Sequence, residues 1–162
     1  MATIRELLKQ DLIIDEIRSA DKQGTIREFA NLLKSAGRIK DSDELIHALF
    51  EREALGSTGI GDGVAIPHGK LHYIPEMIVA FGRSTAGIDF ESLDSKLVHL
   101  VFLLVTPVDK PGDHLRALAR ISRILKNPGL RERLTLSTDR DEILRLLYEE
   151  DAKYPQPQTV RQ

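Results

Sequence analysis

Histidine is the residue type in this sequence best suited to covalent chemistry. The 162 residues include five histidines, His47, His68, His72, His99 and His114, and no cysteine. A sequence without cysteine cannot form disulfides, thiolate zinc sites, Fe–S clusters or a cysteine nucleophile. An unperturbed imidazole has a pKa of about 6.5, so near neutral pH it offers an uncharged nucleophilic nitrogen without a separate base. The sequence context must decide which histidine is used in this way.

His68 follows a glycine-rich segment. Four of the 11 glycines lie within residues 56–63. Glycine tolerates positive φ and lets successive backbone N–H groups form a concavity that binds an anion such as phosphate. A flexible connection from a helix to a strand is the alternative interpretation. Pro67 fixes φ immediately before His68 and Gly69 follows it, so we expect the imidazole to lie on a stiff strand end, where it could accept a phosphoryl group.

The glycines do not fit the common nucleotide-binding motifs. A P-loop has four residues between its two glycines, whereas five residues separate Gly63 from Gly69, and Leu71 occupies the Mg²⁺-binding position. The dinucleotide fingerprint follows a strand and begins a helix, whereas residues 59–63 follow a predicted helix and lead into a strand. Both nucleotide-binding interpretations therefore fail.

The other histidines are weaker candidates. His114 lies at the start of a predicted helix, where free N–H groups favour anions, so it is either a second anion ligand or a packed helix-face residue. His72 lies four residues after His68, but the intervening Gly69 disfavours a helical metal pair and no third ligand is evident, so we expect a surface position. We expect His99 in a core or strand-end position and His47 on a solvated helix face.

The elements predicted to position these histidines alternate between helix and strand. Hydrophobic periodicity and capping residues predict helices over 22–36, 41–55 and 113–126, a short helix from 128, and a last one from 138 to 147. Short β-rich runs predict strands at 13–17, 64–66, 77–81 and 97–105. The last run is almost continuously apolar, which indicates a central strand covered on both faces. We therefore predict a single α/β domain over residues 1–152, with a mixed β-sheet covered by helices on both faces, and a disordered tail over 153–162.

Charge and hydropathy exclude two classes of partner. Lys and Arg total 23 against 25 Asp and Glu, a net charge of −2, which does not suggest affinity for nucleic acid. The N-terminal residues mix charged with apolar side chains, and no stretch approaches the roughly 20 apolar residues of a membrane span. We expect a cytoplasmic protein that neither binds nucleic acid nor inserts into a membrane.

The region around His68 resembles a known family, the fructose/mannitol and nitrogen-regulatory type of enzyme IIA in the bacterial phosphoenolpyruvate-dependent phosphotransferase system. Its signature is an acidic or amide residue, six arbitrary positions, then apolar, Gly or Ala, two positions, apolar, Ala, apolar, Pro, His and a small residue. All nine specified places are satisfied here, by Glu53, Ile60, Gly61, Val64, Ala65, Ile66, Pro67, His68 and Gly69. The resemblance extends over about residues 5–150.

The resemblance implies that His68 is the phosphorylated residue, through its Nε2, and that the donor is an HPr-like phosphocarrier protein. His114 is similar to the family's second active-site histidine. Arg52 resembles its active-site arginine, which could pair with phosphate oxygens through its planar guanidinium. Ser57, Thr58, Gly59 and Gly61 are expected to bind the phosphate. Direct transfer between imidazoles requires no cofactor and no metal.

The family has sugar-transporting and regulatory members. A sugar-specific enzyme IIA passes phosphate to a IIB component, which in this class carries a cysteine that the present sequence lacks. The segment from Gly56 to Leu71 looks most like the nitrogen-regulatory branch, in which the phosphorylation state is read by regulatory target proteins. The alternatives are an enzyme IIA that serves a separate IIB permease component, and a binding module that is not phosphorylated. A zinc hydrolase built on His68 and His72 is not expected.

Overall fold

A computed structural model describes residues 3–155, which form one mixed β-sheet with helices packed against it. The six strands are β1 (Ile13–Ile14), β2 (Gly59–Gly61), β3 (Val64–Ala65), β4 (His68–Leu71), β5 (Ile78–Ile88) and β6 (Val98–Pro107). The six α-helices are α1 (Ile4–Leu7), α2 (Lys22–Ser35), α3 (Ser42–Glu53), α4 (Pro111–Ile124), α5 (Pro128–Leu136) and α6 (Arg140–Ala152).

Strand β6 is the centre of the sheet. The strand order is β1-β5-β6-β3-β2, and β4 also pairs with β6. β5 runs antiparallel to β6, whereas β3 and β4 run parallel to it at successive stretches. Pro67 lies between β3 and β4, and its carbonyl accepts from Leu104 N at 3.1 Å. Every residue of β6 except His99 is buried, which confirms the prediction of a central strand.

Helices cover both faces of the sheet, as predicted. Successive side chains of β5 point to opposite faces. A Cβ placed on Gly82 would lie 2.9 Å from Phe29 of α2. The next side chain, Arg83, donates from Nε to Thr135 O of α5 at 3.1 Å. Helices α2 and α5 therefore lie on opposite faces of the strand.

The helix boundaries follow from local capping. Asp21 Oδ1 accepts from Gly24 N at 2.7 Å, and Asp41 Oδ1 accepts from Asp43 N at 2.9 Å, so α2 and α3 begin where they were predicted. Gly37 has a φ of +75°, which suits a residue just beyond a helix end. The last helix begins at Arg140 rather than at residue 138, because Asp139 caps it.

Several predicted boundaries and orientations were wrong. The segments 59–61 and 68–71 form strands through pairing with β3 and β6, although they are rich in glycine and carry little β-propensity of their own. β5 extends to Ile88 because, after an irregularity that follows Arg83, Ile88 pairs again with Val98 of β6. The apolar periodicity of the predicted helices places Leu115 and Ala54 on their inward faces, but both are exposed, and His114 and Glu53 are buried instead.

The first residues of the predicted tail contact the domain. Lys153 Nζ lies 3.0 Å from Glu150 Oε1, and the Arg123 guanidinium lies 4.4 Å from the centroid of the Tyr154 ring. The rest of that predicted tail, residues 156–162, lies outside the described residues. No helix within residues 3–155 has both the length and the apolar character needed to cross a membrane.

Candidate functional site

The imidazole of His68 is held with its Nε2 atom unprotonated. His68 is the first residue of β4 and pairs with Leu104 of β6. Its Nδ1 lies 2.8 Å from Ile66 O. Because a carbonyl oxygen only accepts, Nδ1 carries the proton and donates to it. The neutral ring therefore has its lone pair on Nε2, the nitrogen suited to act as a nucleophile.

Arg52 contacts that lone pair. It lies in the last turn of α3, and its Nε donates to His68 Nε2 at 3.1 Å. A second nitrogen of the same guanidinium donates to Gly56 O at 2.9 Å. These two contacts fix the planar group beside His68, where it can bind an anion attached to Nε2.

His114 lies against His68. It occupies the first turn of α4 and is 6% exposed. The two imidazole centroids are 5.3 Å apart with an interplanar angle of 55°. On its buried side, His114 Nδ1 lies 2.6 Å from the hydroxyl of Thr106 in β6. The structure therefore brings together the three predicted residues His68, Arg52 and His114.

Burial keeps both imidazoles neutral at physiological pH. Burial lowers the pKa of His68, and the Arg52 guanidinium beside it lowers that pKa further, although the Ile66 carbonyl acts in the opposite direction. For His114, burial is the largest cause, followed by the neighbouring charges of His68 and Lys70, and its pKa falls to about 4. A neutral His68 keeps the lone pair that a nucleophile needs.

The three side chains border an open cavity of about 440 Å³. Its lining combines cationic and histidine side chains with an apolar margin, and comprises Ala48, Glu51, Arg52, Leu55, His68, Gly69, Lys70, His114, Leu115 and Leu118. A slightly larger hollow of about 490 Å³ beside β1 and α2 contains no histidine. The site around His68 can therefore hold a small anion at a nucleophilic nitrogen while a larger partner covers the opening.

A family model decides the classification. Residues 6–150 match the model described as "Phosphoenolpyruvate-dependent sugar phosphotransferase system, EIIA 2". The chain belongs to this family. By this description, EIIA proteins are components of a phosphotransferase system. This agrees with the family resemblance of the sequence around His68.

This EIIA chain is similar in sequence to two curated relatives and in structure to one solved protein. It is 37% identical over 148 residues to a Bacillus subtilis "PTS system fructose-specific EIIABC component", covering 91% of this chain but only 23% of that protein. It is also 37% identical over 146 residues to a Bradyrhizobium diazoefficiens "Nitrogen regulatory protein", covering 89% and 94% of the two chains. The Neisseria meningitidis nitrogen regulatory protein IIA-Ntr has the same fold, with a TM-score of 0.82, 31% identity, and coverage of 89% and 98%.

The residues predicted to bind phosphate make contacts within this EIIA domain. Ser57 Oγ donates to Phe90 O at 2.7 Å, and the Thr58 hydroxyl donates to the Glu53 carboxylate. Gly59 packs against Ser92, and Gly61, with a φ of +102°, lies next to Asp94. The four residues do not line the cavity at His68. Their contacts fix the loop between α3 and β3, and their role in phosphate binding stays a prediction.

The remaining three histidines do not line the cavity of this EIIA site. His72 is exposed, and His47 Nε2 lies 2.9 Å from Glu51 Oε1 on the surface of α3. His99 Nδ1 lies 2.8 Å from Ser84 O between β5 and β6. Within residues 3–155, no three side chains of the metal-binding types are grouped so that they could hold an ion.

Three residues of the site region were not identified from the sequence. Thr106 contacts His114, Lys70 lines the cavity, and Lys22 forms a buried ion pair with Glu53, with Nζ 3.2 Å from Oε1. Only Thr106 carries a signal, because it is a hydroxyl at the end of an otherwise apolar run. Lys22 lies 31 residues before Glu53 in the sequence, and no local pattern connects them.

We expect Glu53→Ala to destabilise the protein by about 3 kcal/mol, because it leaves the buried Lys22 ammonium without its closest partner and removes the acceptor of Thr58 N. Urea unfolding followed by circular dichroism measures this loss. Glu51→Ala, an exposed substitution in the same helix, is the control and is expected to change stability by less than about 0.5 kcal/mol. A loss of less than about 1 kcal/mol for Glu53→Ala would contradict this interpretation of the ion pair.

The pKa of about 4 predicts how His114 titrates. In the folded protein its ring C–H resonances should shift with a midpoint near pH 4, whereas in urea the midpoint should return to about 6.5. Between pH 6.5 and 4 the unfolded chain binds a proton at His114 that the folded chain does not. The free energy of unfolding therefore decreases as the pH falls through this range. The variant His114→Gln should therefore lose less stability than the wild type between pH 6.5 and 4. An equal loss in both proteins is incompatible with the lowered pKa.

Proposed function

We propose that the protein is a phosphohistidine carrier of a phosphoenolpyruvate-dependent phosphotransferase system. In this proposal His68 accepts a phosphoryl group from an HPr-like phosphocarrier protein, and the phosphorylation state serves nitrogen or metabolic regulation. The observation that carries the proposal is the state of His68 Nε2. Its lone pair lies beside the Arg52 guanidinium in an open cavity, while Nδ1 is held by a backbone carbonyl.

The transfer exchanges one N–P bond for another. The lone pair of His68 Nε2 forms a bond to phosphorus while the N–P bond of the donor phosphohistidine breaks. That electron pair returns to the donor imidazole, whose other nitrogen carries a proton, so the donor leaves as a neutral ring. The Nδ1 proton of His68 remains on its nitrogen and continues to donate to Ile66 O throughout, so the phosphorylated ring gains the positive charge that the donor ring loses. No proton has to leave His68, so the reaction depends mainly on alignment and on stabilising charge on the phosphoryl oxygens.

Arg52 can bind His68 before transfer and the phosphoryl group after transfer. In the resting protein its Nε occupies the Nε2 lone pair, so the guanidinium must move off that atom before phosphorus approaches. The same N–H groups are then free to donate to the phosphoryl oxygens, in the bidentate geometry that a planar guanidinium favours. Lys70 lines the same cavity and adds positive charge. Arg52 is therefore proposed as a catalytic residue that binds the transferred group.

The margin of the cavity supports docking of a protein donor. Leu55, just after the end of α3, is 84% exposed, Leu115 of α4 is 68% exposed, and both line the cavity at His68. Exposed leucines beside an active site are typical of a surface that a partner covers. We propose that an HPr-like carrier packs on these side chains, which places its phosphohistidine over His68 Nε2.

The regulatory role is supported by the likeness to nitrogen regulatory proteins, which includes the TM-score of 0.82 to the Neisseria meningitidis structure. The fructose-specific relative is equally similar in sequence, at 37%. The second candidate is therefore an enzyme IIA that passes phosphate to a separate fructose/mannitol-type IIB component. Both candidates use the same chemistry at His68 and differ only in the acceptor.

Reconstitution tests the proposal. The protein is incubated with phosphoenolpyruvate, enzyme I and either a nitrogen-type or a sugar-type carrier, and we expect an acid-labile, base-stable phosphoryl adduct with one of them. The phosphorylated protein is then mixed with a fructose-type IIB component. Retention of the phosphoryl group favours regulation, and rapid loss to IIB favours transport. If no carrier gives an adduct, both candidates are overturned, and a binding module that is not phosphorylated is favoured.

A further inference from the structure

Thr106 is a buried hydroxyl whose hydrogen bond leads into the site. Its side chain is fully enclosed at the end of β6. Within residues 3–155, its one hydrogen-bond partner is Nδ1 of His114, at 2.6 Å. Thr106 lines no part of the cavity at His68, so any effect that it has on chemistry there must act through His114.

The direction of this hydrogen bond follows from a count of protons. A neutral imidazole carries one N–H, and a hydroxyl carries one O–H. If His114 Nδ1 carried the proton and donated it, the Thr106 proton would have no acceptor in a buried position, which is unfavourable. If the hydroxyl donates to Nδ1, both groups are satisfied. The proton of the neutral His114 ring then lies on Nε2.

His68 shows the opposite arrangement. The Ile66 carbonyl fixes its proton on Nδ1 and leaves the lone pair on Nε2. The two rings face each other at a centroid distance of 5.3 Å and share one cavity. One imidazole therefore presents a lone pair to the cavity, and the other presents an N–H donor. A nucleophile and a donor for its phosphoryl oxygens require this pairing of tautomers.

We propose that Thr106 is a positioning residue that sets the tautomer of His114, so that His114 Nε2–H donates to the phosphoryl group carried on His68. The tautomer assignment stands on the contacts of Thr106 and His114 alone. Its consequence for transfer rests on the proposed function. In the other tautomer, His114 Nε2 would direct a lone pair towards the phosphoryl oxygens and repel them.

A neutral hydrogen-bond donor suits a phosphoryl group that must later be transferred to an acceptor. Arg52 and Lys70 already bring two cations to the cavity. A third cation at His114 would bind the dianionic phosphoryl group more tightly in the resting carrier and thereby slow its release. The Thr106 hydroxyl opposes this protonation, because it cannot donate to an imidazolium whose two nitrogens both carry protons. His114 then adds a hydrogen bond without adding charge.

Imidazole ¹⁵N spectra of the unphosphorylated protein at neutral pH test the tautomer directly. We expect His114 to be protonated on Nε2 in the wild type and in Thr106→Ser, which keeps a hydroxyl at this position. In Thr106→Val, which has a similar shape but no hydroxyl, the preference should be lost and both tautomers should be populated. A proton on Nδ1 in the wild type, or an unchanged tautomer in Thr106→Val, would overturn the proposal.

A double-mutant cycle tests the effect on transfer. We expect Thr106→Val to slow phosphoryl transfer to His68 about 10- to 100-fold, by analogy with the loss on removing the partner that orients a metal-binding histidine, and Thr106→Ser to restore the rate. In a His114→Ala background, Thr106→Val should change the rate by less than twofold. Equal slowing in both backgrounds would show a merely structural role and overturn the positioning assignment.

The two measurements distinguish failure of the proposal from failure of the proposed function. If the wild type accepts no phosphoryl group from any carrier, the proposed function is wrong, and the ¹⁵N spectra still decide the tautomer assignment. If the wild type is phosphorylated at the same rate as Thr106→Val, the positioning role is wrong and the proposed function stands.

Discussion

His68→Ala is expected to abolish phosphoryl acceptance completely, because it removes the nitrogen that forms the bond to phosphorus. The loss should exceed that of any other single substitution at the site. The substitution also removes the hydrogen bond of His68 to Ile66 O, worth about 1 kcal/mol, and the one from the charged Arg52 Nε, worth about 2 kcal/mol, so the protein should remain folded. Incorporation of labelled phosphate from phosphoenolpyruvate through enzyme I and the carrier measures the effect.

His72→Ala is the matched control for this prediction. His72 lies four residues further along the chain and is exposed on the surface, so its removal should leave both labelling and stability unchanged. The circular dichroism spectrum and thermal midpoint of His68→Ala should show that its fold persists. Labelling of a folded His68→Ala protein at the wild-type level would place the phosphoryl group on another residue and refute the proposed nucleophile.

The helices of this fold could be predicted because the signals that begin and end them are local. Asp21 and Asp41 each bond to N–H groups within three residues, so the chemistry of the cap lies within a single turn. The buried run of β6 was equally recognisable, since a continuous apolar sequence is typical of a central strand. Elements of this kind carry their evidence within a few consecutive residues.

Strands β2 and β4 were not predicted because their stability comes from partners distant in sequence. His68–Leu71 contains glycine and lysine and forms a strand through its register with residues 104–107 of β6. The inward face of α4 was also assigned incorrectly at its first turn. Leu115 lies at the open margin of the cavity and His114 is buried instead, so hydrophobicity alone assigned the wrong side chain to the core.

The sequence also predicted part of the site but not all of it. His68 follows from Pro67 and the glycine-rich segment, and Arg52 and His114 follow from the family resemblance. The expected role of Ser57 and Thr58 in phosphate binding stays a prediction, and their hydroxyls bond to Phe90 O and to Glu53 in the structure. A sequence lists hydroxyls near a histidine but does not give their directions. Only the fold shows that the hydroxyl in contact with a site histidine is that of Thr106.

Arg52→Ala is expected to slow phosphoryl transfer to His68 about 10²- to 10³-fold, the usual cost of removing one group that stabilises developing anionic charge. The nucleophile remains, so a slowly formed adduct should still accumulate. Arg52→Lys should recover only part of the rate, because an ammonium supplies charge without the planar pair of donors that reaches both His68 Nε2 and Gly56 O. Single-turnover kinetics with phosphorylated carrier measure all three proteins.

A second measurement separates the role of Arg52 in catalysis from a role in folding. The guanidinium lowers the pKa of His68, so Arg52→Ala should raise that pKa, and more of the imidazole will be protonated at neutral pH. Arg145→Ala, an exposed substitution in α6, is the control and should change neither the His68 titration nor the transfer rate. A raised pKa without a slower rate would mean that Arg52 tunes the resting histidine but does not bind the phosphoryl group. A slower rate that persists when the pH is raised enough to deprotonate His68 would locate the effect of Arg52 on the transferred group itself.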